Sequence, residues 1–259
     1  MIDLFAADLH RILWRPFTRA LGVVVVIAVA ITGVTVFAKT GGRHPFDART
    51  GLPAGFGSAA VLLALAGFVL GATLLGADYS SRALTTLLTW EPRRPRVLAA
   101  RAAACASVAA CASLAALALL CVALLPSVLV HGSGSAPTGG WYLSMVGLAL
   151  RCALLAAAAA AIGVSCAAIG RSTAAALAMI ALYWVAVERT ALGIGQWLSR
   201  WLLVALARSW VAADVSSGAG STGGQASDHG IVTSGLLLLA AVLALFALAT
   251  WVLGRRDIA

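Results

Sequence analysis

Charge is scarce in this sequence: only 10% of its 259 residues are Asp, Glu, Lys or Arg, where an ordinary soluble domain carries about 25%. Acids number nine, and lysine occurs once, as Lys39. A single lysine leaves only one place for a phosphate-cradling Gly-x-x-x-x-Gly-Lys-[Ser/Thr] loop. There Ala38 replaces the second glycine, and residues 33–40 end an apolar run instead of linking a strand to a helix. No nucleotide site is expected on this chain, and it is not expected to be an enzyme by itself. The histidines, His10, His44, His131 and His229, all fall outside the long apolar runs. The five cysteines, Cys105, Cys111, Cys121, Cys152 and Cys166, fall inside them, with no Cys-x-x-Cys spacing and no histidine close by. That pattern argues against metal ligation and disulfides, and the thiols read as small packing residues. Ser165, in Gly163-Val-Ser-Cys-Ala167, has no intramembrane base to take its proton, so a close-packing helix surface explains it better than a nucleophile. No carboxylate pair or metal cluster is visible, and no catalytic, cofactor or metal site is expected.

What the chain has instead is apolar length: 62% of it is hydrophobic and its mean hydropathy is +1.00. A membrane-spanning helix needs about 20 mostly apolar residues. Six runs qualify, at 21–38, 57–77, 97–125, 148–169, 173–187 and 231–254, the fifth being short. The expected fold is an all-α polytopic membrane protein in one domain, with six spans and both termini cytoplasmic.

The net charge of +9 would in a soluble protein invite a nucleic-acid reading. Here the basic residues punctuate apolar runs instead of forming a stripe, so no nucleic-acid partner is expected. Positive residues are retained on the cytoplasmic side. With both termini inside, 11 basic residues face the cytoplasm (Arg11, Arg15, Arg19, Arg82, Arg93, Arg94, Arg96, Arg101, Arg171, Arg255 and Arg256). Six face out (Lys39, Arg43, Arg49, Arg189, Arg200 and Arg208), and Arg151 stays unassigned. The Arg- and Ala-rich composition points to a bacterial source, and hence to the cytoplasmic (inner) membrane.

Residues 190–212 are apolar enough to be taken for a seventh span, but Gly193, Gly195, Arg200 and Arg208 interrupt them. They read as one or two short helices at the outer face, with Trp197, Trp201 and Trp210 at headgroup level. The whole of 189–230 is assigned to external helices and a Gly/Ser-rich loop. At the N-terminus, Ile2, Phe5, Leu9 and Ile12 recur at helical spacing opposite Asp3, Asp8, Arg11 and Arg15. Residues 1–16 are therefore an amphipathic helix broken by Pro16. It lies along the cytoplasmic membrane surface or, alternatively, packs on protein. Arg151, Glu188 and Arg189 are the ionisable residues closest to hydrocarbon, and hence a candidate polar site. Arg151 either lies about 15 Å below Trp141 and pairs with Glu188, or snorkels from a span that begins only at Cys152.

The connection 78–96 is the most informative stretch. Leu84, Leu87 and Leu88 form an apolar stripe at i, i+3 and i+4 on a short helix closed by Pro92, with arginines on both flanks. Such a helix either docks into a soluble partner's groove or simply tethers the turn. The order Asp78, Leu84-Thr-Thr-Leu87-Leu88, Pro92, Arg94, Arg101 resembles the turn between spans two and three of ABC-2 type transporter permeases. The closing Gly254-Arg-Arg-Asp-Ile-Ala259 and the six-span layout are similar too. Departures are Arg82-Ala83 in place of Gly-Thr, Pro92 one position late, and Arg101 in place of lysine.

The resemblance implies a permease paired with itself or a related permease on two copies of a separate ABC ATPase. ATP and Mg would be bound by that partner. Asp78, Leu84, Leu87, Leu88, Glu91, Arg94 and Arg101 would then be the ATPase-coupling residues. Asp78 and Arg101 would cap or brace the ends of the coupling helix, and the N-terminal helix would contact the ATPase laterally. Competing readings are an ion-coupled secondary transporter, which would show repeated halves and intramembrane acids, and a non-transporting scaffold or signalling subunit. An Ala- and Leu-rich interior suits amphipathic or lipidic cargo, with export resting on the resemblance alone.

Overall fold

The computed structural model describes residues 9–12, 14–40, 47–81, 94–132, 139–188, 202–212 and 230–255. The described residues include seven α-helices: α1 (Pro16–Thr40), α2 (Ala48–Ser80), α3 (Arg94–His131), α4 (Gly139–Gly170), α5 (Thr173–Leu182), α6 (Leu203–Ala212) and α7 (Ile231–Arg255). Five of them, α1, α2, α3, α4 and α7, are long and apolar enough to cross a membrane. This is the architecture of a multi-pass α-helical membrane protein, as the apolar runs led one to expect.

The helices outrun the apolar stretches from which they were inferred. The run 148–169 is the core of a helix of 32 residues, and 57–77 of one of 33, each close to 50 Å long at 1.5 Å per residue. Hydropathy marks only the part that hydrocarbon would cover, about 30 Å. The apolar run at 173–187 is shorter. Its α-helix ends at Leu182 and continues as a π-helical turn, Tyr183–Glu188. The wider π turn advances less per residue, so Thr173–Val187 reaches no more than ~22 Å.

The most extensive helix contact joins α2 to α4, and α4 also touches α3, α5, α6 and α7, which makes it the hub. Glycines allow the α2–α4 approach. A Cβ on Gly67 or Gly71 would stand 2.5 or 2.1 Å from the carbonyl oxygens of Ala156 and Ala160, and one on Gly163 2.2 Å from that of Phe68. Lipid tails are as apolar as leucine, so close van der Waals packing, not withdrawal from water, is what favours helix over lipid here. The α4–α5 reversal passes through Arg171, which takes the left-handed conformation at φ 55°. Ser172 then caps α5 by accepting from the Ala175 amide at 3.1 Å. Gly76 of α2 abuts Thr173, which brings this reversal to the same end of the bundle as the end of α2.

Before α1, residues 9–12 and Trp14 are helical, Arg15 is not, and the chain turns into α1 at Pro16. Proline is well suited to a first helical position, where its missing N–H would have no partner. Ile12 is fully buried and Leu9 packs against the core. The described part of the amphipathic segment thus packs its apolar side on protein, the alternative to lying on lipid.

Candidate functional site: a shared carboxylate at the roots of the 82–93 connection

Asp78 lies in the last turn of α2, and Arg101 lies two turns into α3. Helical spacing places Arg101 on the same face as Leu98 and Cys105, both buried in the core. A charge on that face requires a counter-ion, because withdrawing it from water costs several kcal/mol. Asp78 supplies one: Arg101 Nη1 donates to Asp78 Oδ2, and both side chains are 1% exposed.

The other carboxylate oxygen faces the N-terminal segment. Arg15 Nη2 and Arg11 Nη2 both reach Asp78 Oδ1, at 2.9 and 3.0 Å. Arg11 and Arg15 are four residues apart, the spacing that puts two side chains on one helix face. Arg15 also extends Nη1 toward the Leu74 carbonyl at 3.4 Å. A carboxylate at a helix C-terminus opposes the helix dipole, and the three guanidiniums around it reverse that penalty. One carboxylate therefore joins three chain segments: the end of α2, the start of α3, and the N-terminal segment. The first two flank the 82–93 connection in the sequence and are its roots.

Of the residues singled out from sequence, the structure brings Asp78 and Arg101 together. They brace each other across the two roots, which differs from capping separate helix ends. Arg11 and Arg15, read from sequence as one polar side of an amphipathic helix, join them. Their i, i+4 spacing was visible, but nothing in the sequence paired them with a residue more than 60 positions away. Leu84, Leu87, Leu88, Glu91 and Arg189 lie outside the described residues, as do the side chains of Arg94 and Glu188.

Arg151 is the thirteenth residue of α4 and is half-buried. The helix is continuous from Gly139, and Arg151 lies about 18 Å along it. Its carbonyl accepts from Trp210 Nε1 at 3.2 Å. The Trp210 ring covers Gly235 of α7, where a Cβ would stand 2.1 Å from it. Trp210 is thus half-buried between α4 and α7, which differs from a ring lying only among headgroups. Tyr183 adds a second tie: its hydroxyl accepts from the Leu203 amide at 3.0 Å, satisfying a donor at the start of α6 that the helix itself leaves open. Trp210→Phe removes the donor together with part of the ring that packs on Gly235, so it is expected to lower stability by about 1–3 kcal/mol. A thermal midpoint in detergent matching that of the parent would discard this bond.

No family model and no curated protein matches the chain.

Proposed function

We propose that this chain is the membrane subunit of an ATP-driven exporter of the ABC-2 type, worked by a separate ATPase through the 82–93 connection. In this reading the short helix around Leu84, Leu87 and Leu88 sits in the ATPase. Thr173–Val187 and its continuation complete a sixth crossing, and both termini face the cytoplasm of a bacterial cell. The chain pairs with a second permease over two ATPase copies, which bind the ATP and Mg, while this subunit hydrolyses nothing.

One observation carries the reading: the two roots of the connection are locked to each other and to the N-terminal segment through Asp78. A loop that only tethers two spans has no need of a costly buried charge. A loop that must deliver a push to several helices together has, because a rigid root passes displacement into α2, α3 and the N-terminal segment at once. Rigid-body movement of this kind is a known switching mode, and it needs a partner that contacts two states differently.

The distribution of charge supports the orientation. Arg11, Arg15, Arg19, Arg96, Arg101 and Arg171 gather at the Asp78 end, while Lys39 closes α1 and Arg49 opens α2 at the other. Retention of positive residues on the cytoplasmic side then puts the 82–93 connection inside. A secondary transporter is less well supported. Asp78, the buried carboxylate among the described residues, is already engaged by three arginines.

Leu87→Asp is expected to abolish co-purification with an ATPase from native membranes and with it any substrate-stimulated ATP hydrolysis. A stable, stimulated complex of that variant would remove the role given to the connection. Labelling of a Leu87→Cys variant from outside intact cells would remove the orientation.

A further inference from the structure

We propose that the exposed arginines flanking Trp14 in the sequence, Arg11 and Arg19, bind the phosphate of an anionic phospholipid. The inference stands on the membrane architecture alone and is independent of any ATPase. Its first ground is a charge imbalance. Asp78 has one negative charge, and it is shared by Arg11 and Arg15 on Oδ1 and Arg101 on Oδ2. Arg19, four residues after Arg15, adds a further positive charge, and among the described residues no carboxylate pairs with it.

The second ground is donor geometry. A guanidinium has five N–H donors, and among the described residues Arg11 spends Nη2 on a protein acceptor, its side chain staying 42% exposed. The Arg19 guanidinium lies 4.7 Å from the Trp14 ring centroid, and His10 stacks on the same ring at 5.8 Å. The ring therefore holds Arg19 in place, with its in-plane N–H groups left for an anion. Planar forks of this kind match phosphate oxygens two at a time.

The third ground selects the source of the phosphate. Trp14 is 64% exposed, and indole rings favour the headgroup level of a bilayer. From there α1 continues with exposed Phe17, Val23, Val24 and Ile27. A phosphate carried on acyl chains satisfies both the basic edge and the apolar strip beneath it, whereas free phosphate satisfies only the edge.

The full chain, purified in mild detergent from bilayers holding equal phosphatidylglycerol and phosphatidylcholine, provides the test, with retained lipid counted by mass spectrometry. The wild type is expected to enrich phosphatidylglycerol about tenfold, on the order set by two basic residues at an anionic surface. R11Q/R19Q should fall to near parity, while R11K/R19K, which keeps both charges but loses the planar forks, should keep only part of the preference. Asp78 retains Arg15 and Arg101 in both variants, so the bundle holds. K39Q/R49Q, at the other ends of α1 and α2, should match the wild type. Parity in the wild type, enrichment that survives R11Q/R19Q, or equal loss in R11K/R19K or K39Q/R49Q would overturn the proposal. So would release of the retained phosphatidylglycerol by inorganic phosphate alone, which would mark a site for a free anion.

Discussion

Asp78→Asn is expected to destabilise the folded chain by about 3–5 kcal/mol, the cost of leaving a buried charge without its partner. The substitution keeps the shape but turns one of the two acceptor oxygens into a donor, and it removes the formal charge that Arg101, Arg15 and Arg11 share. Arg101 suffers most, being 1% exposed; Arg11, at 42%, can turn outward. The expected order of damage follows from the geometry. Arg101→Met should cost less than Asp78→Asn, because Asp78 would still be held by Arg11 and Arg15. Arg11→Gln should cost least. The double variant D78N/R101M should recover part of the single loss, since it removes the stranded guanidinium along with its counter-ion, and non-additivity of that sort is the signature of direct coupling. Thermal midpoints at one scan rate in one detergent measure the series. If Arg101→Met proves more harmful than Asp78→Asn, Asp78 is not the hub.

Gly71→Leu should be nearly as severe, for a reason unrelated to charge. The first added atom alone would stand 2.1 Å from the Ala160 carbonyl oxygen and 3.1 Å from the Val164 amide. Both are backbone, so no rotamer change relieves the clash and α2 must move away from α4. Overpacking typically costs 1–3 kcal/mol, and the upper part of that range is expected because the α2–α4 seam is the largest in the bundle. Lipid would fill the opened seam, so the helices gain nothing from staying close once contact is lost. Gly147→Ala is the matched control. It lies on α4 with nothing within 4 Å of its added Cβ, and it should be neutral or stabilising by up to about 1 kcal/mol, the helix preference of alanine over glycine. Melting of the two variants side by side decides the matter, and a Gly71→Leu midpoint equal to that of the control would mean the seam is not close-packed.

Much of this organisation could be read in the residues. Apolar runs locate each long helix because hydrocarbon tolerates only apolar side chains on a spanning helix, whatever its neighbours. Helix ends were less legible. Gly139–Gly147 and Ala48–Phe56 continue their helices beyond the hydropathy signal, since helix formation needs only backbone bonds. The weak fifth run was visible as weak, and the change from α to π at Tyr183 gives its local form. The seam glycines were legible only as a type: Gly163 was readable as a small-residue surface, but not that it meets Phe68.

The candidate site divides in the same way. Asp78 and Arg101 stood out because charge is rare in this chain and the order of residues around the 78–96 connection is distinctive. Their contact, and the arrival of Arg11 and Arg15 on the same carboxylate, did not stand out. Neither did Trp210 reaching the Arg151 carbonyl across 59 positions. Composition and periodicity settle which segments are helical and which are compatible with lipid, because those are properties of each segment and its solvent. Which helices touch, and which charge answers which, was decided only when the α2–α4 glycines set the spacing of the bundle. Pairing between distant residues is a property of the packed whole, and no local pattern encodes it.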